Sequence, residues 1–432
     1  METIGGVAAP TRPCPECGNG VPAQEGYVEW CARCDWNVDP GAPDPHPGRL
    51  AAVRRRLARR YGEQLAAELQ QGAGGASHRR WDTAGVLALA VALLVHGVTA
   101  ALITAGVLLI VLGWGAGALP LLGVLLLGIA AVLRPRPGRL PEGAPVLYRA
   151  DAPRLFGLID EVAALCGTSG VNAVVVSWDA NASVTSYGYR RHRVLDLGLG
   201  LWEVLGPQER VALLGHELGH FAHGDVRHMK VTSGALHSLA VWHYMLGRTE
   251  PRQLTDRFVN ALTLLPRTAV YGLLLLLDRL TLRDAQRSEY LADASAARAG
   301  STEAAVGLMD RLLVTGSVHS ELRRASAAAR MRGGPGGREA LDRAEEGLWE
   351  RLAGHIGAVP EREYERLRRV SALRGHAVDD THPPTHLRRL CVSAGGPLAA
   401  GVVCDEDLEG AVAAELAPAR GLLARRVVRE FG

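Results

Sequence analysis

Between Ala84 and Leu133 the chain carries no Asp, Glu, Lys or Arg. A membrane-spanning helix needs about 20 apolar residues, so this stretch is too long for one span and suits two. In hydrocarbon every backbone N–H and C=O has to be paired within the protein, so the segment has to be helical. The sequence therefore predicts a transmembrane hairpin over 84–133, with its turn inside Leu109–Pro120, where glycines and Pro120 interrupt the run. Its length argues against a buried hairpin of a soluble protein. Arg79 and Arg80 precede the run, and Arg134, Arg136 and Arg139 follow it. Basic residues concentrate on the cytoplasmic side of a membrane, so both ends are expected there. The reading is of an integral cell membrane protein in contact with the lipid bilayer.

The remaining residues leave room for more than one domain in a chain of 432. A net charge of +3 gives the molecule no overall field for nucleic acid, and no nucleic-acid partner is expected. The first thirty residues hold prolines, cysteines and charges, without the apolar core of a signal peptide. Four of the seven cysteines form two C-x-x-C knuckles, Cys14/Cys17 and Cys31/Cys34, with thirteen residues between them. Four thiolates at this spacing suit a tetrahedral structural zinc, and residues 11–38 are predicted to be a zinc ribbon. So small a unit has almost no core, so the metal would supply most of its folding free energy. Thiolate ligands also imply a reducing compartment, which agrees with a cytoplasmic face. The ribbon could bind a protein partner or order the N-terminus. Cys166, Cys391 and Cys404 are scattered and read as buried thiols.

Residues 39–80 combine a proline-rich linker, "DPGAPDPHPG", with a helix in which Leu50, Val53, Leu57, Tyr61, Leu65 and Leu69 recur every three or four residues. Its other face is rich in arginine. Such a helix fits an anionic lipid surface, and it fits equally well docked on protein with its basic face in water.

The chemistry centres on "ALLGHELGHFAHGD", 212–225. Residues four apart share a helix face, so His216 and His220 can point at one metal, with Glu217 in reach of a water there. This is the H-E-x-x-H arrangement of zinc hydrolases. Pro207 suits the first turn, Gly224 a stop, and Val211, Leu214, Leu218 and Phe221 an apolar stripe. A catalytic zinc needs a third protein ligand and an open position. "RSEYLADASAARAG", 287–300, offers Glu289 and Asp293 on one face of a helix, and spacing alone leaves either as the ligand. The other carboxylate would then hold a liganding histidine or the helix in place. Before the metal helix, 146–200 reads as a helix, a strand "NAVVVSW", a loop or edge strand "NASVTSYG" and another strand "HRVLDLGLG". After it, 231–280 contains two apolar runs. They read as a second membrane hairpin or as a helical pair packed at the membrane surface, since Pro266 and Arg267 interrupt the longer run.

The motifs "HELGH", "EYLAD" and "THPPTHLRRL", in that order, resemble the membrane zinc metalloproteases of the HtpX and CAAX prenyl endopeptidase family. "LGPQERVALLGHELGH" and "NASVTSYG" extend the resemblance, which covers 140–390 and the preceding hairpin. The N-terminal ribbon departs from the usual plan. The resemblance implies an α+β, mainly helical, gluzincin-like metalloprotease domain with a small sheet over 140–390, and a C-terminal tail over 391–432. It assigns the third ligand to Glu289 and places Asp293 behind the ligands. It sets His382 near the site, where it could donate to the oxyanion of the tetrahedral intermediate, and Arg388 as a brace. A structural turn fixed by Pro383 and Pro384 is the other reading of that segment. Asn181 and Ala182 would line the groove where substrate adds as a β-strand. The activity implied is zinc-dependent hydrolysis of peptide bonds in membrane or misfolded proteins, with Glu217 as base. Two zinc ions are expected, one catalytic and one structural. An inactive membrane scaffold that recruits a partner through the ribbon is the alternative. Glu217 argues against it, because an inactive descendant need not keep the base.

Overall fold

The computed structural model describes residues 10–41, 49–70, 83–115, 117–134, 140–188, 190, 192–223, 228–251, 253–331, 337–374 and 382–430. Linker residues 42–48, the flanking Arg79, Arg80, Arg136 and Arg139, Gly224 and Thr381 lie outside them.

In chain order the elements are β1 (Thr11–Pro13), β2 (Gly20–Pro22), α1 (Arg49–Gln70), α2 (Thr83–Leu112), α3 (Ala118–Leu133), β3 (Val146–Leu147), α4 (Pro153–Leu165), β4 (Ala173–Ser177), β5 (Ala182–Tyr187) and β6 (His192–Gly198). There follow α5 (Leu199–Trp202), α6 (Pro207–His223), α7 (His228–Met245), α8 (Leu254–Leu262), α9 (Leu264–Gly300), α10 (Thr302–Leu313), α11 (Thr315–Met331), α12 (Gly337–Glu345), α13 (Leu348–Gly357), α14 (Glu361–Arg374), α15 (Thr385–Ala394) and α16 (Glu406–Glu430). The class is the α+β, mainly helical one expected from sequence. Two compact units divide the chain: Met1–Ala73 with Arg139–Ala222 and Ser288–Gly432, and Gly74–Gly138 with His223–Arg287.

In the first unit a four-stranded sheet has the order β3-β4-β6-β5, with β4 and β6 parallel and the other pairs antiparallel. The run "AVVVS" of β4 is β-branched and its first four residues are fully buried, as a central strand requires. "ASVTSY" of β5 is more polar and closes one edge. Gly198 and Gly200 let β6 turn into α5 beneath the preceding loop. A Cβ on Gly198 would lie 2.2 Å from the Asp179 carbonyl oxygen, and one on Gly200 2.8 Å from that of Trp178. One apolar cluster joins α4, the sheet, α6, the end of α9, and α10, α11, α13 and α16. The segment read as a tail is therefore no appendage: Val412, Leu416, Leu423, Val427 and Val428 of α16 are buried in this core. The stretch "REALDRAEEGLWERLAGHI" forms two helices, α12 and α13, separated at Gly347, whose φ is 68°.

In the second unit α2 and α3 cross closely where glycines meet. A Cβ on Gly123 would come within 2.6 Å of the Gly106 carbonyl oxygen. Small residues at such a crossing let two backbones approach in an apolar medium. Ala88, Val91, Ala92 and Val95 of α2 pack with Ala235, Leu239 and Trp242 of α7 and Leu277 of α9. Trp242 donates its Nε1–H to the Leu133 carbonyl at 2.9 Å, and His96 Nε2 lies 3.1 Å from the Val231 carbonyl oxygen. Leu93, Leu94, Val111, Leu112, Trp114 and Leu121 are exposed. Among the described residues, α2 is the one single helix long and apolar enough to cross a membrane. Its partner α3 has 16 residues, short of the ~20 that a straight span needs. The helices α8 and α9 qualify only as a pair, bent by 44° at Thr263. The bend has a local cause, since Pro266 in the first turn of α9 lacks an N–H to continue the helical ladder.

Candidate active site

The first turn of α6 is anchored from several sides. Glu209 accepts from the Gly206 N–H at 2.9 Å, Gln208 donates to the Val402 carbonyl at 2.6 Å, and Arg210 donates to the Trp202 carbonyl at 2.9 Å. Val211, Leu214 and Leu218 are fully buried, while Phe221 is half-buried under the Arg193 guanidinium, 4.5 Å from its ring centre. The opposite helix, the end of α9, approaches α6 unusually closely. A Cβ on Gly215 would stand 2.7 Å from that of Ala299, and one on Gly219 3.0 Å from that of Ser295. A Cβ on Gly300 would meet the Ala212 backbone nitrogen at 2.7 Å. Gly215 and Gly219 face Ala292, Ala296 and Gly300, each series spaced by four on its helix. This ladder of small residues brings Glu289 over the two histidines. The sequence contained that signal, and reading the histidines and carboxylates alone missed it.

His216 Nε2 and His220 Nε2 are 3.2 Å apart. Glu289 sets Oε2 3.6 Å from His216 Nε2 and Oε1 3.6 Å from His220 Nε2. One donor atom from each of the three residues lies within 4.8 Å of the others, so the group could hold a metal ion. Glu289 Oε2 is buried and accepts no hydrogen bond among the described residues. A buried carboxylate oxygen without such a donor is costly, and a cation between these atoms would satisfy it. The donor set of two imidazoles and a carboxylate suits zinc.

His216 also presents Nδ1 to Asp293 Oδ1 at 2.9 Å, which turns Nε2 toward the cluster. Asp293 is clamped in turn by Arg388, which donates from Nε to Oδ2 at 2.9 Å and from Nη2 to Oδ1 at 2.6 Å. Both partners are fully buried. Burial raises the Asp293 carboxyl, but the Arg388 guanidinium and His216 together hold it well below the usual range. Burial works against charge on His216, yet Asp293 pulls its pKa up. Burial and the neighbouring His216, His382 and Arg388 push His220 well below the usual value, leaving a neutral imidazole with a lone pair to give. Burial pushes the Glu217 carboxyl up to about 7, against the pull of His216. Its proton affinity therefore sits where a general base works at neutral pH, and a cation in the cluster would draw it down. His382 Nε2 lies 3.3 Å from Glu289 Oε2, and the side chains of both His382 and His220 keep 25% of their area accessible.

Ala182 begins the edge strand β5, and Asn181 just before it accepts from the Gly198 N–H at 3.0 Å. Among the described residues no hydrogen bond or ion pair ties them to His216, His220 or Glu289. The cysteines form a second, separate group. Cys14 and Cys34 Sγ are 3.7 Å apart, Cys17 and Cys31 Sγ 3.6 Å, and all four lie within 4.8 Å of one another. A tetrahedron with Zn–S of ~2.3 Å has edges of about 3.8 Å, so these two separations suit a zinc between the sulfurs. Each knuckle closes on a left-handed residue, Gly18 at φ 71° and Asp35 at φ 60°.

A buried H-E-x-x-H helix facing a carboxylate of a second helix defines a metallopeptidase site. Residues 151–391, more than half of the chain, match the model of peptidase family M48, and the chain belongs to that family. It is similar to Protease HtpX of Pseudomonas putida, strains GB-1 and W619, each 27% identical over 142 residues. That alignment covers 32% of this chain and 48% of each relative, so the chain spans about half the length of the curated relatives it matches. No solved structure matches it.

Proposed function

We propose that the chain is an integral membrane zinc endopeptidase whose ribbon and catalytic domain face the cytoplasm, and whose substrates are membrane or misfolded proteins. The convergence of His216, His220 and Glu289 beside a buried Glu217 carries the reading. Those three residues would hold a catalytic zinc, and Cys14, Cys17, Cys31 and Cys34 a structural one. Bound there, a zinc ion polarises a scissile carbonyl and brings the pKa of a water to about 7. Glu217 takes the proton of the attacking water on its carboxylate and passes it to the leaving amine. His382, beside Glu289 and partly accessible, donates from Nε2 to the developing oxyanion. Asp293 and Arg388 keep His216 turned for ligation. The edge strand beginning at Ala182, with Asn181 just before it, offers unpaired backbone groups to an extended substrate. Membrane attachment rests on the length of α2 and on its exposed apolar side chains.

The test is comparative proteomics of membranes containing wild-type or Glu217→Gln protein. Glu217→Gln should keep its metal and lose cleavage, and full-length substrates should accumulate. Equal substrate levels in both, with metal bound in both, would overturn the reading.

A further inference from the structure

The N-terminal residues do not stand apart from the peptidase unit. Trp30 is 1% exposed, and Arg362 and Arg369 of α14 place their guanidinium carbons 5.2 and 5.0 Å from its ring centre. Arg362 donates to the Trp30 carbonyl. Arg369 donates to the Ala32 carbonyl and to Asp35, each at 2.7 Å, and Arg366 to the Val38 carbonyl at 2.8 Å. Arg374 pairs with both oxygens of Asp39. Every acceptor comes from residues 30–39, which contain the second cysteine knuckle. Three of them are backbone carbonyls, so their alignment with α14 depends on the fold of the knuckle and not on side-chain chemistry.

Helix α1 holds the other end of the same region. Leu65 and Ala66 are buried against Tyr290, with Leu387 and Cys391 alongside. Tyr290, next to Glu289, donates to the Gly62 carbonyl at 3.0 Å. A Cβ on Gly62 would touch Pro384 at 3.3 Å and Pro383 at 3.8 Å. The basic amphipathic helix thus lies docked on protein. The ribbon grips α14, and α1 grips the turn and helix that begin at His382. In sequence, His382 lies between those two grips.

We propose that residues 10–41 together with α1 form an internal clamp that metal at Cys14, Cys17, Cys31 and Cys34 holds closed, fixing the segment from His382 to Arg388 against the His216–His220–Glu289 cluster. Trp30, Arg366 and Arg369 are its positioning residues. Trp30 is spent on its own chain and is not available to recruit a separate protein. Only the consequence for catalysis rests on the peptidase reading, since the clamp itself is a matter of which surfaces move together.

Hydrogen exchange of the full-length protein in detergent micelles, read peptide by peptide, tests it. Two variants are compared with wild type: Cys31→Ser/Cys34→Ser, and Arg366→Ala/Arg369→Ala, which removes the contacts to Ala32, Asp35 and Val38 without touching a thiolate. Each should speed exchange about tenfold across 361–374 and 385–394 while leaving 207–223 unchanged. The arginine variant should retain the four-cysteine zinc, and Arg366→Lys/Arg369→Lys should recover part of the protection. On a peptide substrate kcat should fall with KM unchanged. Wild-type exchange over 361–374 and 385–394 in both variants, or a rise confined to 10–41, would overturn the clamp. Those exchange outcomes stand whether or not the protein cleaves anything, and the Glu217→Gln comparison judges the peptidase reading separately.

Discussion

At the level of single residues the proposed chemistry turns on which carboxylate completes the His216–His220 pair. Glu289 and Asp293 lie on one helix face, but only Glu289 reaches both histidine Nε2 atoms, while Asp293 sits behind His216 on Nδ1. Glu289→Ala should therefore lose the catalytic zinc and activity together. Asp293→Ala should keep the zinc at high metal concentration, with affinity or rate about 10–100-fold lower. Metal titration of the two variants separates these outcomes, and the reverse pattern would reassign the ligand. Arg388→Met leaves the buried Asp293 with His216 but without its guanidinium partner, and breaking a buried ion pair in this way typically costs about 3–5 kcal/mol. A comparable loss of unfolding free energy in urea is expected. The H-E-x-x-H histidines were legible because their spacing is local. The grip of Arg388 on Asp293 was not, because 95 residues separate the pair and no periodicity links them.

Between elements, the α6–α9 contact sets the site, and it depends on the absence of side chains. Gly215→Val would force a Cβ to within 2.7 Å of Ala299. Overpacking of this kind costs about 1–3 kcal/mol and would push Glu289 away from the histidines. Lower stability in denaturant and a loss of bound zinc should appear together; normal zinc affinity would show that the close approach is dispensable. The strands β4 and β6 and the helices α4 and α6 follow runs that the sequence displays plainly. The helix α14 carries no motif that singles it out in the sequence. Its i,i+3 and i,i+4 ion pairs, Arg366–Glu363 and Arg369–Glu365, look like those of a solvated helix. Its partners are ribbon carbonyls more than 300 residues away. For α16, Pro418 inside the helix and the dispersed apolar positions hid a core-forming element.

For the whole molecule, the uncharged stretch 84–133 was legible as two packed helices, and their unequal lengths were not, because Gly113–Gly117 falls off-centre. Reporter fusions after Arg79 and after Arg139 should both read cytoplasmic, and one inside Leu109–Pro120 external. An external signal at Arg139 would mean a single crossing and would put the peptidase unit on the other side. The four cysteines were legible from spacing alone as a group that could hold a metal, but the anchoring of their segment on α14 needed the three-dimensional contacts. The most direct measurement is zinc per chain, with cleavage of an unfolded protein assayed on the same samples. Wild type should hold two zinc ions and cleave; His216→Ala/His220→Ala should hold one and be inactive. A wild-type protein with one zinc, unchanged in zinc content and cleavage when both histidines are replaced, would contradict the account.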